Sequence, residues 1–145
     1  MSASHEVRVA LEEGMHFVGF GHPLEDGFTV HMDTSPDFGG EHKGMRPQSL
    51  MLVSLGGCTG MDVISILRKK RQQVSGLEVK IRAERADEHP RVYTHIWLTY
   101  VVKGQDVDPA AVERAIELSL TKYCPVAGLL RQVVPIESEY QIVNG

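Results

Sequence analysis

Residues 47–73 carry the feature that most restricts the fold. Leu50, Leu52, Val53, Leu55, Met61, Val63, Ile64, Ile66 and Leu67 cover nearly every face of one helix, and a helix that is apolar all round is a buried one. Pro47 suits the first helical position, where its missing N–H costs nothing. Arg68-Lys69-Lys70-Arg71 sets positive charge at the negative end of the helix dipole, so this basic run is a solvated helix end rather than a nucleic-acid site. Gly56, Gly57 and Gly60 each cost up to about 1 kcal/mol relative to alanine inside a helix. Three glycines around Cys58 therefore imply close backbone approach, a break, or room left for a ligand. The strands of one chain are too few to cover such a helix on all sides. A second layer from an interwoven copy is expected, that is, an obligate homodimer burying well over ~2,000 Å².

The flanking segments supply short strands. Residues 5–11 alternate loosely, and 14–20 and 27–32 are bounded by glycine. Residues 33–46 are dense in Asp, Ser, Pro and Gly and form a long loop of the kind that is often functional. Beyond Gly76 the period changes to two. In 77–84, Leu77, Val79, Ile81 and Ala83 face one way and Glu78, Lys80, Arg82 and Glu84 the other, the pattern of a strand with one wet face. A turn at 85–90 leads to a β-branched and aromatic strand at 91–103. Asp108-Pro109 caps a helix running through about Tyr123, Pro125 restarts a shorter one over 125–133, and 135–143 alternates as a last strand. The order βββ-α-ββ-α-α-β predicts an α+β fold, with the buried central helix against antiparallel sheet, in a single domain spanning 1–145.

Composition narrows the function. A net charge of −4 disfavours a general electrostatic grip on nucleic acid or anionic lipid. No apolar run approaches the ~18 residues that span a bilayer. The opening residues, from Met1 to Glu6, lack the basic and apolar regions of a signal peptide. A cytoplasmic protein, with neither membrane nor nucleic acid as partner, is the expectation. Histidines 5, 16, 22, 31, 42, 89 and 95 fit no metal-ligand spacing, and Gly39-Gly40-Glu41-His42-Lys43-Gly44 matches neither dinucleotide nor P-loop patterns. No metal and no cofactor are expected.

Two cysteines remain. They are too few for a disulfide framework, and buried cysteines often act as small hydrophobes. Their settings point further. Cys124 directly precedes Pro125, which puts it at the positive N-terminus of the last helix, where a thiolate is favoured. Cys58 lies among small residues that would let a small substrate reach its sulfur. On chemistry alone either could attack.

The residues Pro47-Gln48-Ser49-Leu50, the run from Gly56-Gly57-Cys58-Thr59-Gly60-Met61-Asp62 to Leu67, and Lys122-Tyr123-Cys124-Pro125-Val126 resemble the signatures of the osmotically inducible protein C (OsmC) / organic hydroperoxide resistance (Ohr) family. The element order, the length and the 66-residue gap between the cysteines fit as well. The run around Cys58 looks most like a less characterised OsmC-like branch. The resemblance implies an OsmC-like fold, an intertwined homodimer and a thiol-dependent peroxidase whose two-cysteine pocket lies at the dimer interface. It also implies that Cys58 attacks the hydroperoxide and Cys124 resolves the product to a disulfide, which a small dithiol or a redoxin would reduce. Well-known members carry glutamate where this chain has Gln48, and an arginine after the first strand. Residues 1–50 hold only Arg8 and Arg46. The competing reading is a small-molecule or lipid-like ligand-binding protein of the same fold, its cysteines inert.

Overall fold

A computed structural model describes residues 4–21 and 27–145. His22 and the first three residues, used above in the histidine and signal-peptide readings, lie outside these. The chain forms two compact units, Met1–Met51 and Leu52–Gly145.

The first unit is an antiparallel meander in the order β1 (Arg8–Glu13), β2 (His16–Phe20), β3 (Thr29–Met32). Gly14, at φ +57°, closes the β1–β2 hairpin with Glu13 paired to His16, so β1 runs two residues past its expected end. Arg8 lies over the Phe20 ring, 4.0 Å from its centroid. The loop over 33–46 is held from inside by Asp33, whose carboxylate accepts the N–H groups of Thr34 at 2.7 Å, Lys43 at 3.0 Å and Glu41 at 3.3 Å.

Helix α1, Pro47–Lys69, leads into the second unit. It ends four residues before the sequence pattern suggests, because Arg71 takes a left-handed conformation (φ +58°) and reverses the chain. Strand β4 (Gln73–Arg85) pairs antiparallel with β5 (Tyr93–Gln105), and β6 (Ile136–Asn144) joins β5 in parallel, from Ile96–Ile136 to Gly104–Asn144. The sheets are thus antiparallel in every ladder but the last. Between β5 and β6 run α2 (Pro109–Leu118), a π turn (Ser119–Tyr123) and α3 (Pro125–Leu130). The α+β order βββ-α-ββ-α-α-β holds throughout.

The period of two on β5 turns Ile96, Leu98, Tyr100 and Val102 inward, all fully buried. They pack with Leu55, Val63 and Leu67 of α1 and with Ala111, Val112, Ala115 and Ile116 of α2. Burying each such Leu, Ile or Val contributes about 1.5–3 kcal/mol. On the outer face, Arg82 lies 3.8 Å over the Trp97 ring, Trp97 stacks on His95 at 4.0 Å, and His95 meets Glu137.

The expectation that α1 is buried on every side is met on one stripe only: Leu55, Gly56, Thr59, Val63 and Leu67. Met51, Val53 and Met61 stay exposed in the single chain, Met61 at 73%. By length and composition alone this 23-residue helix could cross a membrane, which corrects the reading that nothing in the chain approaches that length. Its buried stripe, however, is part of the protein core.

Candidate functional site

Cys58 sits in the middle of α1 and is half-buried. The helix runs unbroken through the three glycines. A Cβ at Gly56 would come within 2.7 Å of Ile81 Cδ1 on β4, whereas one at Gly57 would meet nothing within 4 Å. Gly56 therefore serves close approach to the sheet, and Gly57 leaves open space directly before Cys58.

Cys124 is 3% exposed and occupies the N-cap of α3. Pro125 favours the extended backbone seen at Cys124, φ −76° and ψ 108°, so the chain leaves the π turn and re-enters helix at this residue. Its Sγ accepts the Ala127 N–H at 3.4 Å. The two thiols, 66 residues apart in sequence, are free and close enough to interact. Burial, reinforced by the neighbouring Cys58, pushes the Cys124 thiol up to about 11; the helix N–H groups pull the other way and lose. This corrects the expectation that the α3 N-terminus favours a Cys124 thiolate. Of the two sulfurs, Cys124 is the enclosed one and Cys58 the more accessible.

A chain of hydroxyls runs beside the thiols. Tyr100 Oη lies 2.7 Å from Thr59 Oγ1, Thr59 Oγ1 lies 2.7 Å from Ser119 Oγ, and Ser119 donates to Asp62 Oδ2 at 2.9 Å. Burial pushes the Tyr100 phenol up to about 12, with Cys124 and Asp62 adding to the effect and the Thr59 bond opposing it. The sequence reading missed these four residues. Two signals were present: Tyr100 falls on the inward side of an alternating strand, where a phenol needs a partner, and Asp62 is the one acidic residue of an apolar helix, one turn after Cys58. Among the described residues, no three His, Cys, Asp or Glu side chains are placed to hold a metal ion.

The family model of the OsmC-like protein matches residues 40–139, which include both cysteines and all four residues of the hydroxyl chain. The chain belongs to the OsmC family. Within it, this OsmC-like chain is 41% identical over 138 residues to Protein YhfA of Escherichia coli strain K12, covering 95% of this chain and 98% of YhfA. That places it on a less characterised branch. A hypothetical protein from Aquifex aeolicus VF5 has a crystal structure that superposes with a TM-score of 0.84 at 30% identity, covering 99% of both chains. An organic hydroperoxide resistance protein OsmC from Legionella pneumophila shares the fold, with a TM-score of 0.68 at 9% identity over 96% of this chain and 97% of that one.

Proposed function

We propose that this OsmC-family protein reduces organic hydroperoxides with Cys58 and Cys124. The observation that carries the reading is the proximity of an enclosed Cys124 thiol to a more accessible Cys58 sulfur. The Cys58 thiolate attacks the terminal oxygen of ROOH, the O–O bond breaks, and the alkoxide leaves as ROH after taking a proton; Cys58 becomes a sulfenic acid. Cys124 then attacks that sulfur. Its thiol proton leaves with the sulfenic hydroxyl as water, and a disulfide forms. A small dithiol or a redoxin returns both thiols by exchange. The Legionella protein is named for organic hydroperoxide resistance, which agrees with this chemistry. The exposed apolar side of α1 supports the homodimer; that residues 1–145 act as one OsmC-like domain, and do so in the cytoplasm, is part of the same proposal.

One equivalent of cumene hydroperoxide added to the reduced protein, followed by thiol counting and peptide mass spectrometry, tests this. Both thiols should be lost to a single Cys58–Cys124 disulfide. Cys58→Ser should lose peroxide reduction altogether, and Cys124→Ser, given excess hydroperoxide, should climb to sulfinic acid on Cys58. Retention of both thiols in the unmodified protein would return the chain to the reading of a ligand-binding protein with inert cysteines.

A further inference from the structure

Thr59 and Asp62 belong to α1, Tyr100 to β5 and Ser119 to the π turn, yet their side chains form one continuous bonded row. The proton order in that row is forced. Ser119 has one hydroxyl proton and gives it to the Asp62 carboxylate, so Thr59 must donate to Ser119 and Tyr100 to Thr59. Every hydroxyl in it is thereby satisfied, and the row ends on a half-buried carboxylate through a charge-assisted bond.

Ser119 also has a second role. Its carbonyl accepts the Cys124 N–H at 2.8 Å, the hydrogen bond that defines the π turn. Asp62 stands one helical turn beyond Cys58 on the same helix. The Ser119–Asp62 bond thus joins the turn that carries Cys124 to the helix face that carries Cys58. A π turn closes an i→i+5 hydrogen bond in place of the α-helical i→i+4 one and is rare, appearing mostly as a single turn and often at functional sites.

We propose that Asp62 and Ser119 are positioning residues that pin this turn and set how effectively the Cys124 thiol meets Cys58. The proposal rests on the dithiol reading above but does not require peroxide as the oxidant. Holding two reacting groups in register raises their effective concentration, and for a thiol pair this appears in the disulfide equilibrium.

Glutathione redox titration of the full chain, read by alkylation and mass spectrometry, measures that equilibrium directly. Asp62→Ala and Ser119→Ala should each form the Cys58–Cys124 disulfide at least about tenfold less favourably than the unmodified protein, a shift of about 30 mV. Asp62→Asn keeps an oxygen that accepts the Ser119 hydroxyl and should stay within about threefold. Circular dichroism at the titration temperature identifies the variants that remain folded. Ser119→Ala, which loses a single oxygen, keeps the test open if Asp62→Ala does not fold. An unchanged equilibrium in a folded alanine variant, or Asp62→Asn falling as far as Asp62→Ala, overturns the proposal. A disulfide that forms with glutathione but not with hydroperoxide would defeat the peroxidase reading alone. Absence of any such disulfide in the unmodified protein would remove both.

Discussion

Asp108 and Cys124 open α2 and α3 in nearly the same backbone pose, with φ/ψ of −75°/117° and −76°/108°. Each precedes a proline, and each turns its side chain back onto the helix. Asp108 Oδ1 accepts the Ala110 N–H at 3.0 Å, and Cys124 Sγ accepts that of Ala127 at 3.4 Å. The surroundings differ: Asp108 is exposed, and Cys124 is nearly sealed. A helix N-terminus favours an anion only to the extent that burial does not withdraw more than the N–H groups supply. At Cys124 burial wins, so the same capping device that holds a solvated carboxylate holds a neutral thiol in place.

Three measurements can break or sharpen that contrast. The largest effect is on reactivity. In a Cys58→Ser variant, where burial still acts on Cys124, iodoacetamide should modify Cys124 at pH 7 at least about a hundredfold more slowly than a free cysteine, whose thiol titrates near ~8.5. The rate should keep climbing as pH rises through 10. A rate that levels off below about pH 9 would mean that the helix end prevails over burial.

Stability against alkali is the next largest effect. The folded-state value of Cys124 lies above its ordinary one, raised from 9.0 to about 11, so the stabilisation is complete below pH 9 and is lost as pH rises toward 11. Thermal midpoints measured across that window should fall more steeply for the unmodified protein than for Cys124→Ser. Parallel curves would show that ionising this thiol costs the fold nothing. The smallest effect concerns the caps themselves. Asp108→Ala should lower urea stability by about 1 kcal/mol at pH 7, while Cys124→Ser, which keeps a capping oxygen, should change it by less than about 1 kcal/mol. A larger loss at Cys124 would make its sulfur primarily a core atom.

Local chemistry made much of the fold legible. Alternation at Leu77, Val79, Ile81 and Ala83 assigned the inner face of β4, and Asp108-Pro109 and Cys124-Pro125 marked two helix starts that the structure keeps. The end of α1 was less legible, because the left-handed turn at Arg71 uses a residue that does not advertise it. The π turn was hidden for a related reason: Ser119–Tyr123 is helical in pattern, and its extra residue per turn comes from tertiary packing. The two cysteines stood out by their motifs, but their proximity did not, since nothing local joins residues 66 apart. The sign of the Cys124 shift was misread because a helix terminus shows in sequence and the depth of its burial does not. The row from Tyr100 to Asp62 spans β5, α1 and the π turn, so only the assembled core brings it together.

Trp97 is the chain's only tryptophan. It lies on the outer face of β5 between Arg82 and His95, while Tyr100 and Cys124 belong to the core behind that strand. The protein therefore carries a single indole, separated from its thiols by the thickness of a sheet. Tryptophan emission from this chain reports whether the strands on either side of the indole are assembled, and it leaves the sulfur chemistry to be followed by other means.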